Sequence, residues 1–232
     1  MKRSSLLLIA ITLSLNTIAQ TIRIADKNLN RPAGANIYPT LQAAIDAAVP
    51  GDIVYITPVL SSEGNYGNVI IGKRLTLQGA YIGSRFSYVN QITFIPSSDG
   101  FTSVSNSVFN DIYVNYFTFS AGGLGSFTFD DIVFDNCGAY NFSSNGNHPT
   151  INRLTIKNGG FAAVSLTTTS GVNDLKIYNN VFSTDPYTKP ITLANATNVV
   201  ISNNLIYSYG GNYTVDIQNS SSVLIANNIF SG

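Results

Sequence analysis

Asp174-Leu175-Lys176-Ile177-Tyr178-Asn179-Asn180-Val181-Phe182, Asn198-Val199-Val200-Ile201-Ser202-Asn203-Asn204-Leu205-Ile206 and Ser222-Val223-Leu224-Ile225-Ala226-Asn227-Asn228-Ile229-Phe230 are three versions of one phrase. Every second residue at its start is apolar, which marks a strand with one buried face. The Asn pair that follows marks a turn, because Asn enters the left-handed region more cheaply than any residue but Gly. Such a unit cannot bury its apolar face alone, so units repeated at this spacing must stack as a solenoid.

Upstream, the register continues through Ile92, Ile112, Ile132 and Leu154 to Leu175, with steps of 20, 20, 22 and 21, then 24 and 24 through Val199 and Val223. Two positions after each stands a second apolar residue: Phe94, Val114, Phe134, Ile156, Ile177, Ile201 and Ile225. Between the phrases lie Val164-Ser165-Leu166, Ile191-Thr192-Leu193 and Val215-Asp216-Ile217. Each coil therefore carries two or three strands, each about 4.8 Å from its counterpart in the next coil. Asn136, Asn158, Asn179, Asn203 and Asn227 share one turn position, where stacked amides are expected to bond to one another and to turn backbone.

Composition agrees. The 232 residues are 44% hydrophobic and 11% aromatic but only 10% charged, so Asn, Ser, Thr and Gly must supply the polar surface, a mixture that favours strands and tight turns over helix interiors. Met1-Lys2-Arg3, an apolar core from Leu6 to Leu15 and Thr17-Ile18-Ala19 read as a secretory signal over residues 1–19, which implies a secreted or cell-surface protein. No later run is long enough for a membrane span. Without Lys2 and Arg3, the 12 basic residues fall to 10 against 12 acidic ones, so the basic stripe of a nucleic-acid binder is absent. The lone Cys137 cannot form an internal disulfide and reads as a small buried side chain.

One helix is expected. Leu41, Ala44, Ile45 and Ala48 fall at i, i+3, i+4 and i+7 behind Thr40 as N-cap and ahead of Pro50-Gly51. An amphipathic helix within a cap of about residues 37–51 would cover the open end of the first coil. The fold class is thus all-β: a right-handed, single-stranded parallel β-helix over residues 20–232 with an N-terminal capping helix.

The run from Tyr38 to Pro58, followed by Val69-Ile70-Ile71-Gly72-Lys73-Arg74-Leu75-Thr76-Leu77-Gln78-Gly79 and the Asn-Asn coils, resembles secreted right-handed parallel β-helix proteins of the pectin-lyase-like superfamily. The resemblance implies fold more than function, since the superfamily holds polysaccharide lyases, glycosidases, esterases and non-catalytic surface proteins.

Positions −1, +1 and +3 around the register residue are expected to face outward, gathering Asp111, Asp131, Asp135, Arg153, Lys157, Asp174 and Lys176 into one patch. Two readings follow. In the first, Asp111, Asp131 and Asp135 hold Ca²⁺ while Arg153, Lys157 or Lys176 engages a uronate and abstracts a proton, as the resemblance to calcium-dependent lyases implies. In the second, Asp131, Arg153 and Asp174 form one ion-pair column and Asp135 with Lys157 another, which stabilises the sheet modestly. Polygalacturonase-like motifs match poorly: no Gly follows His148, and Arg153 is followed by Leu154-Thr155. Tyr187, Tyr207, Tyr209 and Tyr213 are candidate sugar-stacking rings in the late connections. The coils run into Phe230-Ser231-Gly232 without a cap signal, an expectation of further coils in a longer precursor or of end-to-end contact. The functional expectation is a secreted or cell-surface module that binds polysaccharide or another surface ligand without turnover; a pectate- or alginate-type lyase and a structural or adhesive spacer are the alternatives.

Overall fold

A computed structural model describes residues 20–27, 34–96, 104–120, 127–145, 149–208 and 215–231. The leader expected over residues 1–19 lies outside them, as do His148, Tyr209 and Tyr213. The described chain is a parallel β-helix of about six turns.

The first wall stacks Ile53–Ile56, Thr76–Gln78, Val108–Asn110, Val133–Asp135, Thr155–Lys157 and Lys176–Tyr178 in parallel, then the later halves of Ala196–Ser202 and Ser221–Ala226. The second wall stacks Tyr88–Phe94, Tyr113–Ser120, Gly138–Asn145 and Gly160–Leu166. In the last coils it divides into Val181–Thr184 over Leu205–Ser208 and Ile191–Ala194 over Val215–Gln218. A short third wall, Phe127–Asp130, Pro149–Asn152 and Val172–Asn173, closes the coil. The lumen is filled with apolar side chains, among them Phe94, Phe109, Phe117, Phe119, Phe134 and Phe142, all fully buried. Phe109 stacks on Phe134 at 4.8 Å between ring centroids, as neighbouring coils require.

Two corners set this geometry. Asp111, Asn136, Asn158, Asn179, Asn203 and Asn227 end the first-wall strands with φ between 51° and 57°. Asn106, Asp131, Arg153, Asp174, Asn198 and Ser222 precede the same strands with φ between 48° and 61°. Both columns are left-handed, so from Val108–Asn110 onward each first-wall strand is bounded by a reversed residue at either end. The expected Asn column is therefore present, and the deeper ladder is the Asn that follows it. Asn180 is 1% exposed and Asn204 2%. Asn204 Oδ1 accepts from Asn180 N (2.9 Å) and Nδ2 (3.1 Å), while Asn204 Nδ2 donates to Ile177 O (3.0 Å) and Asn228 Oδ1 (2.9 Å). One coil earlier, Asn180 Oδ1 accepts from Gly159 N at 2.9 Å. Every buried polar atom of the inner column is thereby matched across coils.

The register differs from expectation upstream. Val133, Thr155, Lys176, Val200 and Leu224 pair in sequence, so Ile132, Leu154, Leu175, Val199 and Val223 do line one file. Ile112 and Ile92 do not. Tyr113 pairs with Gly138, placing Ile112 at the level of Cys137, and Ile92 pairs with Phe117 on the second wall. Every wall alternates at period two, so apolar spacing alone does not say which wall a strand occupies. The two corners also shift parity: Asp111 at one, and Asp131, Arg153 and Asp174 at the other, are corner residues, not outward strand positions.

The helix is Leu41–Ala47, with Thr40 Oγ1 accepting from Ala43 N–H at 3.1 Å, whereas Ile37–Tyr38 forms a strand. Leu41, Ala44, Ile45 and Ala48 are buried. Gln42 accepts from Ile70 N–H (2.8 Å) and donates to Ile70 O (3.2 Å), giving the outermost strand Asn68–Ile71 the pairing that another strand would supply. Nearby, Asp52 is 1% exposed and accepts from Thr21 N, Arg23 Nε and Val49 N at 2.8–3.1 Å. Burial alone would raise its pKa; the Val49 N–H, Arg23 and the Thr21 N–H outweigh that and hold it below the ordinary value.

Two outcomes follow. Asn204→Ala should cost about 2–4 kcal/mol in chemical denaturation because it strands buried partners, whereas Asn203→Gly, one residue away, should stay within about 0.5 kcal/mol. A depressed native-state pKa means the Asp52 contribution is complete above the unfolded value and vanishes as pH falls through the native one. Stability should therefore decline below about pH 4, and Asp52→Asn should flatten that decline.

Candidate functional site

The charged patch resolves into separate pairs. Lys157 Nζ lies 3.0 Å from Asp135, the column expected. Arg153 reaches Asp130 at 2.5 Å, not Asp131, and Asp174 accepts from Asn198 Nδ2 at 3.1 Å. The expected Asp131–Arg153–Asp174 column is thus corrected: a left-handed residue points its side chain away from the strand face, and Arg153 turns back to the coil before it. Lys176 shares a column with Thr155 and Val200. Arg153, Lys157 and Lys176 accordingly stand in three columns. So do Asp111, Asp131 and Asp135, at one corner, the other corner and the strand between. Among the described residues no three His, Cys, Asp or Glu side chains gather as a metal-binding group. The hydrogen bond to Asp135 raises the pKa of Lys157, opposite to what a proton-abstracting lysine needs.

Of the candidate tyrosines, Tyr187 is 90% exposed on the connection at 185–190, with its N–H on Asp185 Oδ1 at 2.9 Å. Tyr207 sits half-buried in Leu205–Ser208, opposite Ser183 and Ser231.

A concavity of ≈400 Å³ lies elsewhere, at the asparagine corner in the early coils. In the second coil an antiparallel hairpin, Tyr81–Ile82 and Arg85–Phe86, is inserted between the first and second walls and pairs with Val59–Leu60. Arg85 anchors it to both Glu63 oxygens at 3.0 and 3.2 Å. Phe86, Tyr88 and Tyr113 form a cluster with centroids 5.5–5.9 Å apart. Tyr81 and Tyr113 remain 74% and 42% exposed.

The floor is nearly bare backbone. Tyr113, Gly138, Gly160, Val181 and Leu205 occupy one outward column. A Cβ on Gly138 would come within 2.7 Å of the Tyr113 ring, so the glycine lets that ring lie across the wall; a Cβ on Gly160 would meet nothing. At the corner, the Asp111 carboxylate accepts from Gln78 Nε2 and Asn136 Nδ2, both at 2.7 Å. Beneath, Cys137 donates its thiol to Phe109 O at 3.2 Å, and burial pushes its pKa up to about 12, so it is no nucleophile at neutral pH. Asp111 is the sole carboxylate among the residues lining the cleft, where glycoside hydrolysis calls for two. Rings, a fixed carboxylate, an amide and open backbone are equipped to bind a ligand with both apolar and hydroxylated faces.

Sequence patterning places Tyr113 and Asp111 on the exterior but does not reveal this cleft. The available signal was glycine at 138 and 160 where later coils carry Val181, Leu205 and Ile229. Fold and site together define a parallel β-helix with an aromatic-walled cleft at its asparagine corner. No protein-family model matches the chain, and neither curated proteins nor solved structures give a match. No helix among the described residues is long and apolar enough to cross a membrane.

Cys137 should resist a disulfide reagent at pH 8 in the native protein and react fully in denaturant; fast native labelling would show an open corner.

Proposed function

We propose that this chain is a secreted β-helix of pectin-lyase-like type that binds a polysaccharide in the cleft between the hairpin and the glycine floor, without cleaving it. The observation that carries this reading is the exposed Tyr81 and Tyr113 rings beside Asp111 and Asn136 over an open backbone strip. Sugar rings present C–H faces to aromatic rings and hydroxyls to carboxylates and amides, so both surfaces find partners. The cationic start and apolar stretch of residues 1–19 support export. The parallel coils and the Tyr38–Pro58 pattern support the superfamily.

Affinity electrophoresis in polysaccharide-containing gels tests the reading. Wild type should be retarded by at least one polymer. Tyr113→Ala and Gly160→Val should weaken retention about tenfold or more (~1.4 kcal/mol), the second at unchanged stability, since a side chain at Gly160 meets open space. Arg153→Ala should leave retention intact, and no ultraviolet-absorbing product should appear. Retention indifferent to both cleft variants would refute the site; product release lost in Arg153→Ala would establish a lyase instead.

A further inference from the structure

We propose that the cleft selects neutral sugars and that Asp111 is the residue that turns acidic polysaccharides away. This rests on the glycan-binding reading above and adds the class of glycan. Asp111 is the sole charged side chain among the residues lining the cleft; no Lys, Arg or His joins it. Of the nearby cations, Arg85 on the hairpin is held by both oxygens of Glu63. A uronate bound against Tyr113 would thus meet a carboxylate and no counter-charge, whereas a neutral sugar would meet an acceptor for its hydroxyls.

The corner column gives an independent argument. Position 111 is left-handed at φ 57°, and the other five members of the column, Asn136, Asn158, Asn179, Asn203 and Asn227, are all asparagine. Asparagine therefore satisfies the backbone at this corner, and the charge is not what the turn requires. The departure from the column coincides with the coil that carries the cleft. Asp111 is also fixed: Gln78 Nε2 and Asn136 Nδ2 hold one oxygen each, and Gln78 Oε1 is itself tied to Asn110 Nδ2 at 3.2 Å. A carboxylate so held cannot swing aside to admit an anion.

The test compares retention in gels of β-glucan, galactomannan and xylan, each neutral and lightly carboxymethylated, together with polygalacturonate and alginate. Wild type should bind at least one neutral polymer and its carboxymethylated form at least tenfold more weakly. The gap should shrink as sodium chloride rises from 0.1 to 1 M, because the screening length falls from about 10 Å to about 3 Å. Asp111→Asn should close the gap, while Asp131→Asn, the same charge change at the other corner, should leave it open. Equal retention of neutral and acidic forms, or a gap insensitive either to salt or to Asp111→Asn, would overturn the proposal while leaving glycan binding standing. Should Asp111→Asn not fold, the salt series on wild type decides alone. Retention by no polymer of either charge would remove the glycan reading itself and this proposal with it.

Discussion

The structure depends on how the chain turns at the end of each three-residue strand of the first wall. From Val108–Asn110 onward a reversed residue sits there in every coil, and in the late coils the buried amide that follows it must be answered by the next coil. In the pair Asn179-Asn180, repeated as Asn203-Asn204 and Asn227-Asn228, the two residues have separate roles. The first takes φ of 54–57° outside, and the second carries the amide ladder inside. Apolar burial supplies the larger share of the stability and opposes a one-residue slip, but it is indifferent to a slip of two. The ladder is not, because an amide displaced by one rung leaves a buried donor and acceptor unpaired. Earlier coils meet the same demand differently, with Cys137 donating to Phe109 O where Asn180 donates to Ile156 O.

A solenoid built this way presents columns, and two ion pairs tie one coil to the next. Asp135 and Lys157 answer each other across one rung, Asp130 and Arg153 across another. The proposed binding site lies where the repetition is broken. The hairpin that follows Thr76–Gln78 raises two aromatic rings beside the corner, and the glycines at 138 and 160 remove two side chains from a column that later carries Val181 and Leu205. A wall too regular to hold a ligand thereby gains a recess without loss of strand pairing.

Much of this is legible in the sequence, for definite reasons. The late coils announce themselves because their corners repeat the same residues at a spacing of 24. Thr40 as N-cap and the Asp135–Lys157 pair are local or one-rung relations that spacing reveals, and Cys137 reads as a buried thiol because it has no second cysteine to pair with. Spacing misaligns the early coils because Ile92 and Ile112 alternate like residues on any wall, and the hairpin lengthens one coil. It misassigns the outward set around Asp131, Arg153 and Asp174 because a left-handed residue breaks the alternation on which parity is counted. The cleft stays hidden because its parts come from four coils: Tyr81 from one, Tyr113 from the next, Gly138 and Gly160 from two more. No local pattern joins them until the register is known.

Native-state hydrogen exchange at the backbone N–H groups of Gly159, Asn180 and Asn204 bears most directly on the central claim, since each donates to an asparagine side chain one coil onward. If the inner amide ladder locks the register, these three should exchange as slowly as the fully buried first-wall strand amides of Ile156 and Ile177, through global unfolding alone. Exchange at the rate of an exposed turn would contradict the account and leave strand pairing and apolar stacking to hold the coils in place.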